Sequence, residues 1–502
     1  MTSICDCDKA GIGSTIKIMT NKILAVSLGI ILTFNFPVLS QTTSQIIEFS
    51  FAGNRSFSNE ELQLVVAPYL GLEVDLSNLV AVRQAITKFY RERGYPSAIA
   101  LIPLQEIQGG VVKIEVKEGK LTQVKVTGNS RLSNDYLTGQ INVASPLNVN
   151  DLENQLQLIK QNPLIEDLKG ELVAGDEVGT AVLKLQIQEI DWKSWRYSLD
   201  NYASPVSGKW QHSVTYVNPS LRGRGDTLGA KVTLTEGGSN YQVFYEFPVQ
   251  TNGAAIDLNF SKSQRQIVEK PISVLDLQSE AQKLSIGYKQ PLVRQPQQKV
   301  NLNFGVDWQS SETFLDGERF PFEQTSDNGK TEIITARLGQ EWSQQNSDRA
   351  IFVNSKFSVG TGTKSQSFFS WVLTGEYYQK IGNLTAKAKI GLQLATPQLF
   401  PTEQFALGGI DTVRGYRFNE FLSNNGMVGN LELQIPVSRN LQVDPFLDFG
   451  QIWGDNRETI GSAGVSTVWK LNSNLLLRVD LAFPFTDNQS ADNWLFAVEG
   501  RF

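Results

Sequence analysis

The chain has 502 residues, with 45 basic and 51 acidic side chains and a formal charge of −6. Its length predicts more than one domain, and its charge balance argues against the clustered positive surface that nucleic-acid binding needs. The 41 glycines, 27 phenylalanines, 13 tyrosines and 9 tryptophans favour strands and turns over helices.

The first forty residues have the features of a secretory signal peptide. Lys17 and Lys22 lie before or at the start of an apolar stretch, residues 23–34. A basic start, a short apolar run and a small residue before the cleavage point are typical of secretion. The apolar run is too short for a membrane span, which needs about 20 residues. We therefore expect residues 1–40 to be removed, with Met19 as an alternative start.

Loss of the signal peptide would remove both cysteines of the chain, Cys5 and Cys7. The remaining chain has one histidine, His212, so we expect no disulfide, no ordinary zinc site and no histidine-based catalytic triad. We accordingly predict no metal, no cofactor and no enzymatic activity. No later stretch approaches 18 continuous apolar residues, so a membrane position would require a closed β-barrel.

The next part of the chain is duplicated. Residues 53–62, GNRSFSNEEL, align with residues 128–137, GNSRLSNDYL, at a constant offset. Such self-similarity indicates two copies of one supersecondary unit. Each copy is predicted to contain a strand, two helices and two strands, which places one domain at residues 46–119 and a second at residues 120–190.

Local patterns predict the elements of each copy. Ser58 and Glu61 form a capping-box pattern that opens the first helix, and a second helix with an apolar face begins near Ser77. The predicted strands of the first copy are 46–51, 98–103 and 111–118; the second copy has strands 121–127, 171–174 and 180–189 and a helix at 149–162.

Residues 191–502 alternate between apolar and polar side chains. In residues 300–308, for example, Val, Leu, Phe, Val and Trp alternate with Asn, Asn, Gly and Asp. A soluble β-sandwich would bury Asp307 in a dry core at considerable cost, whereas the lumen of a membrane barrel is wet. The alternation continues to a terminal aromatic, Phe502, which is similar to the C-terminal signal of bacterial outer-membrane proteins. We predict a transmembrane β-barrel of about 16 antiparallel strands.

Two motifs lie within the barrel region. Residues 408–418, GGIDTVRGYRF, fall between two strand patterns and so belong to a loop, while Phe446, Asp448 and Gly450 form an FxDxG pattern on a later strand. Together these segments resemble the VRGY and FxDxG motifs of the outer-membrane protein translocase and insertase superfamily.

The resemblance implies roles for individual residues. Arg414 would pair with Asp448 inside the lumen, where a bidentate guanidinium–carboxylate pair could hold the loop. It also implies that Gly415 permits a close backbone approach, while Tyr416 and Phe418 pack the tip of the loop.

The duplicated region before the barrel indicates which family of this superfamily the chain resembles. Its element order resembles the polypeptide-transport-associated (POTRA) domain, and two such units before one barrel resemble the two-partner secretion transporters of the ShlB/FhaC/HecB kind. The resemblance implies a barrel surrounded by outer-membrane lipid and periplasmic domains whose sheet edges capture an unfolded exoprotein client. No nucleotide or nucleic acid is expected as a partner. Two alternatives stay open: a factor that inserts other barrels, and a passive porin with structural front domains.

A plug helix, found in some members of that family, is not expected here. Only about five residues separate the predicted cleavage point from the first predicted strand. We therefore expect the loop that carries Arg414 to occlude the pore.

Two further patterns are interpreted as accidental. Arg224-Gly225-Asp226 matches an integrin-binding tripeptide but suits a turn. Residues 360–365, GTGTKS, imitate a phosphate-binding loop but lack the glycine before Lys364 and the required strand-to-helix context.

Overall fold

The computed structural model describes residues 45–143, 145–322, 326–454, 456–486 and 492–502. The predicted signal peptide lies outside the described residues. The chain divides into two compact units, one ending at Ile190 and the other running from Asp191 to Phe502. None of the described helices is both long and apolar enough to cross a bilayer.

The unit that ends at Ile190 is built from short helices packed on small sheets. Its described elements are β1 (Glu48–Ala52), α1 (Asn59–Val66), α2 (Leu76–Glu92), β2 (Ile99–Leu101), β3 (Val111–Lys117), β4 (Lys120–Thr127), α3 (Asn134–Gly139), α4 (Val149–Lys160), β5 (Ile165–Ala174) and β6 (Thr180–Glu189).

The two copies share one topology. The first sheet has the order β1-β3-β2 and the second β4-β6-β5, and in each the first strand pairs in parallel with the last. Helix α2 buries Val82, Ile86 and Tyr90 in the first core, because these positions recur on one helical face. The predicted strand–helix–helix–strand–strand order is therefore present in both copies.

The repeated Gly-Asn turn has the same structure twice. Gly53 and Gly128 adopt φ values of +83° and +85°, and a Cβ at either position would collide with a backbone carbonyl of the last strand. Glycine is the residue that takes this conformation and close approach without strain. Ser58 caps α1 in the predicted capping box, and Ser133 caps α3 by accepting a hydrogen bond from a backbone N–H.

A carboxylate at the end of the last sheet strand secures each turn. Glu118 accepts hydrogen bonds from the backbone N–H groups of Arg55 and Ser56 at 2.8 and 2.7 Å. Glu189 accepts them from the N–H groups of Arg131 and Leu132 at 2.8 and 3.0 Å. These contacts join residues more than fifty positions apart, so the sequence repeat alone did not reveal them.

The Glu189 contacts predict a pH-dependent stability of the second turn. Burial by itself would raise the pKa of Glu189, but hydrogen bonds from Leu132, Arg131 and Ser130 outweigh it and lower the pKa below its ordinary value. A lowered folded-state pKa stabilises the fold above the unfolded value, about 4.3, and this contribution disappears as the pH falls through the folded value. Glu189→Gln should therefore speed hydrogen exchange of residues 129–136 at pH 7. The two proteins should converge in acid; a difference that persisted there would contradict the electrostatic explanation.

One predicted strand was too short. The last hairpin of the second copy was expected to begin at residue 171, but β5 begins at Ile165. The charged residues between Glu166 and Lys169 hid its alternation, although Leu168 within this stretch and Gly170 directly after it face the core and are buried.

The second unit is a closed β-barrel. Its described strands are β7 (Trp195–Asp200), β8 (Gln211–Asn218), β9 (Thr227–Thr235), β10 (Gly238–Pro248), β11 (Ala255–Gln266), β12 (Leu277–Arg294), β13 (Gln298–Leu315), β14 (Glu318–Arg319), β15 (Lys330–Gln345), β16 (Arg349–Gly362), β17 (Ser367–Ile381), β18 (Leu384–Ala395), β19 (Phe405–Leu407), β20 (Phe421–Ser423), β21 (Asn425–Pro436), β22 (Leu441–Trp453), β23 (Glu458–Lys470), β24 (Leu475–Pro484) and β25 (Trp494–Arg501).

The wall of the barrel contains 16 antiparallel strands in the described residues. β14 only extends a hairpin, and β19 and β20 pair with each other outside the wall. On β13 the apolar side chains point outwards, with Phe304 and Val306 exposed by 48% and 53%, while Asp307 points inwards and is 8% exposed. The predicted fold class is confirmed.

The first and last strands of the wall form its seam. β25 and β7 pair over only residues 497–501 and 196–200, the shortest pairing between neighbouring wall strands in the described residues. Asn201, 1% exposed, extends this pairing. Its side-chain oxygen accepts from the Phe496 N–H at 2.7 Å, and its amide donates to the Trp494 carbonyl at 3.2 Å.

Asn201→Ala should weaken the seam, because it leaves two partly buried backbone groups of β25 without these partners, at a cost of up to about 1 kcal/mol each. We expect the folded barrel to lose its compact electrophoretic mobility in detergent at a lower temperature than the parent. Asn354→Ala, on β16 away from the seam, is the matched control. Equal transition temperatures for the two variants would contradict a special role for Asn201.

Candidate functional site

The long loop between β18 and β21, residues 396–424, folds against the inside of the barrel wall. Leu407, Val413 and Tyr416 are each at most 1% exposed and pack with Val428 and Ile452 of the wall in one apolar cluster. Within the loop, β19 and β20 form a short antiparallel ribbon. Burial of apolar side chains therefore holds the loop along one sector of the wall.

Arg414 and Asp448 meet at the end of this ribbon. Arg414 Nε and Nη2 donate to the two carboxylate oxygens of Asp448 at 2.7 and 2.9 Å, and the Arg414 backbone N–H donates to the same carboxylate at 3.2 Å. The side chain of Asp448 is 0% exposed and that of Arg414 is 5% exposed. This is a bidentate, charge-assisted pair shielded from solvent, the strong form of such an interaction.

Further wall residues surround the guanidinium. Arg414 Nη1 donates to Glu432 at 3.2 Å and to Ser466 at 3.1 Å, and lies 3.5 Å from Asp480. The guanidinium carbon stands 3.4 Å from the ring centroid of Phe446, a cation–π contact. The predicted motif residue Phe446 therefore covers one face of the arginine.

The acidic partner is also held in place. Asn430 donates to Asp448 at 2.8 Å and to the Thr412 carbonyl at 2.6 Å, so it bridges wall and loop. A buried charge pair stabilises its surroundings only if its remaining hydrogen-bonding capacity is used, and Asn430 contributes to this.

The other predicted loop residues have distinct positions. Gly415 has φ +91°, and a Cβ there would lie 3.1–3.2 Å from Pro484 and Ala482 of β24. Tyr416 donates to the Gly461 carbonyl at 3.2 Å and contacts the Thr486 hydroxyl at 2.9 Å. Phe418 is only half-buried, so Tyr416 contributes more to packing at the tip.

Two wall glycines make room for these contacts. A Cβ on Gly450 would collide with Leu407 and lie 3.0 Å from Val413, both in the loop. A Cβ on Gly464 would lie 2.5 Å from the Phe446 ring. The glycine of the FxDxG pattern therefore provides the surface on which the loop rests.

Sequence reasoning missed several members of this site: Asn430, Glu432, Ser466 and Asp480. They lie on three different strands, and cross-strand pairing places Asn430 beside Asp448 and Ser466 beside Asp480. Their inward position follows from strand alternation, but the register that brings them together depends on tertiary pairing.

The patterns interpreted as accidental have structural explanations. Asp226 is 1% exposed, and its carboxylate accepts hydrogen bonds from the Arg222 N–H at 3.0 Å and the Tyr245 hydroxyl at 2.8 Å. It is not presented to a partner. Lys364 lies in a short turn between β16 and β17. In the described residues no acidic, histidine or cysteine cluster could hold a metal ion.

Comparisons with known proteins agree with this architecture. Residues 179–471 match the family of the haemolysin secretion/activation protein ShlB/FhaC/HecB, and residues 45–119 match the ShlB-type POTRA domain. The heme/hemopexin transporter protein HuxB of Haemophilus influenzae is 31% identical over 180 residues, which is 35% of this chain and 32% of that protein. The matched region thus spans about a third of HuxB.

Other relatives match over greater lengths. The outer membrane transporter CdiB of Dickeya dadantii is 20% identical over 83% of this chain and 78% of its own length. The structure of CdiB from Escherichia coli covers 93% of both chains with a TM-score of 0.69 at 20% identity. BamA from Haemophilus ducreyi gives 0.55 at 15% identity, over 91% of this chain and all of that one. These structural likenesses concern the fold.

The closed barrel and the POTRA domain place the protein in the outer membrane, with its N-terminal domains in the periplasm. Because the family match covers more than half of the chain, the expected family is confirmed: this protein belongs to the haemolysin secretion/activation proteins of the ShlB/FhaC/HecB family.

Proposed function

We propose that this protein is a translocation pore that secretes a partner exoprotein across the outer membrane, as in two-partner secretion. The observation that carries the proposal concerns the loop of residues 396–424, hereafter the lumen loop. The buried Arg414–Asp448 pair holds this loop to the wall, in a barrel preceded by POTRA-type domains. Membership of a secretion/activation family supports the same assignment.

The loop argues for a regulated pore. Barrels of 16 or more strands leave an aqueous channel, so a passive porin needs no element fixed across its interior. Here the loop is held by an apolar cluster and by a bidentate charge pair. A structure of this kind keeps the channel restricted until a client displaces or rearranges the loop.

Capture of the client is assigned to the periplasmic sheet edges. β5 has ten residues and is the longest edge strand in the described part of residues 45–190. An extended polypeptide can add to such an edge through main-chain hydrogen bonds, which require no particular client sequence. We assign the protein no catalytic step and no nucleotide-driven step.

Cross-linking tests the place of capture. A photo-reactive residue at Lys169, exposed on β5, should cross-link the client during export. The same residue at Asn154, exposed on α4, is the control, since helices cover the other face of the sheet. Stronger cross-linking from Asn154 would contradict capture at the β5 edge.

A deletion strain tests the function as a whole. Proteomics of the culture supernatant and the outer membrane should show one or a few large proteins missing from the supernatant and a normal membrane profile. Broad depletion of other β-barrels would instead identify an assembly factor. An unchanged secretome with altered solute permeability would identify a porin.

A further inference from the structure

Besides the Arg414 site and a more exposed pair between Arg417 and Glu269, the lumen loop makes an ionic contact near its start. Glu403 ends a short 3-10 turn, residues 401–403, and its carboxylate oxygens lie 3.1 and 3.5 Å from Arg337 Nη2 on β15. The two side chains are 10% and 16% exposed. No sequence motif marked either residue.

Arg337 is positioned by the wall independently of the loop. Its Nε donates to Asp307 on β13 at 2.5 Å, and its Nη1 donates to Ser358 on β16 at 3.2 Å. Each of the three guanidinium nitrogens thus has its own partner. Nε and Nη1 donate to the wall, and Nη2 donates to the loop. Lys283 on β12 lies 2.9 Å from the same Asp307 carboxylate.

The charges around this contact favour a docked loop. Lys283, Arg337 and Lys356 bring three cations to one sector of the lumen, and Lys356 interacts electrostatically with both Arg337 and Glu403. Among the described residues, Asp307 of the wall and Glu403 of the loop are the carboxylates that form ion pairs with Lys283 and Arg337. Departure of the loop would remove the Glu403 carboxylate from these cations and leave their mutual repulsion less balanced, which opposes release.

The backbone of the loop is fixed at the same place. Gln393 of β18, 7% exposed, donates to the carbonyls of Glu403 at 2.9 Å and of Asn424 at 3.2 Å. It therefore ties the two stems of the loop together. The backbone from which the Glu403 side chain reaches Arg337 is therefore held by the wall.

The two most buried ionic contacts of the loop engage different sectors of the wall. Arg414 contacts β21, β22, β23 and β24, whereas Glu403 contacts β15, and β16, β17 and β18 lie between the two groups. Ionic contacts on separated sectors therefore hold the loop at two places along the wall, in addition to the apolar cluster around Leu407, Val413 and Tyr416.

We propose that Glu403 and Arg337 form a second lock on the lumen loop, and that opening of the pore requires release of this lock as well as the Arg414–Asp448 pair. Arg337 is a positioning residue, and Glu403 is the part of the loop that it holds. The inference rests on the proposed function only in assuming that the loop restricts the channel.

Conductance of the purified full-length protein in planar bilayers of Escherichia coli lipids, in potassium chloride, tests the lock without any client. Glu403→Gln keeps the shape of the side chain and removes its charge. Loss of a charge-assisted hydrogen bond of this type is expected to raise the opening frequency of the channel about tenfold, which corresponds to about 1.4 kcal/mol. Arg337→Lys, which cannot serve three partners in the guanidinium geometry, should act in the same direction.

Glu341→Gln is the matched control. Glu341 is on the same wall strand and accepts a hydrogen bond from Asn301, so its neutralisation should leave the opening frequency at the parental value. All variants should keep the parental heat-resistant mobility in detergent, which excludes a general loss of barrel stability. Parental conductance for both Glu403→Gln and Arg337→Lys would overturn the lock.

The lock and the proposed function fail separately. If Glu403→Gln opens the channel but the deletion strain loses other barrels instead of an exoprotein, the lock is supported and the proposed secretion function is contradicted. If the deletion strain loses an exoprotein while Glu403→Gln conducts like the parent, the secretion function is supported and the lock is contradicted.

Discussion

Arg414→Ala is expected to abolish export while the barrel still assembles. The substitution leaves Asp448, with no exposed side-chain surface, without its bidentate cation, and breaking a buried pair in this way costs about 3–5 kcal/mol. The loop rather than the wall should bear this cost, because the wall strands remain hydrogen-bonded to each other. Export is measured by the amount of exoprotein in the supernatant, and assembly by heat-resistant mobility of the barrel.

Two further variants separate charge from geometry. Arg414→Lys keeps the positive charge but cannot form the bidentate contact, so we expect intermediate export. Arg319→Ala removes an exposed arginine that pairs with the half-buried Glu312; a surface pair of this kind is worth about 0–1 kcal/mol, and the variant should secrete normally. Parental export by Arg414→Ala would remove the basis for a functional role of the lumen pair.

Gly450→Val is expected to displace the loop without disturbing the wall. Valine suits a β-strand, but its side chain would occupy the space filled by Leu407 and Val413 of the loop. Overpacking of this kind costs about 1–3 kcal/mol and is relieved if the loop moves away. We expect a channel that conducts more than the parent, and a loop that external protease cleaves more readily.

Gly429→Val is the matched control for this variant. Gly429 lies on the neighbouring wall strand β21, opposite Phe449, and among the described residues no atom lies within 4 Å of where its Cβ would be. It should conduct and resist protease like the parent. If Gly429→Val also conducted more than the parent and was cleaved more readily, the effect would arise from the strands and not from the loop.

Much of the architecture was predictable because it depends on local sequence patterns. The duplicated Gly-Asn turn requires glycine at a positive φ, and the serine after it caps a helix, so the same residues recur wherever the unit recurs. Alternation along β13 predicted a barrel with Asp307 inside, since successive side chains of a strand point to opposite faces.

The candidate site was predictable only in part. Arg414 and Asp448 were recognised because each lies in a distinctive motif, and the structure brings their side chains together. Glu403 and Arg337 lie in no motif, although the structure joins them as well. What separates the two pairs is the recognisable sequence around the first, since both depend equally on how the loop folds.

The sequence by itself determined the elements, the inward and outward faces of the strands and the family motifs, because these depend on neighbouring residues and on periods of 2 and 3.6. The tertiary structure alone decided which strands pair at the seam, where Asn201 completes the closure. It also decided that the loop lies against two sectors of the wall. Contacts of this kind depend on register and on chain closure over long separations, which no local pattern specifies.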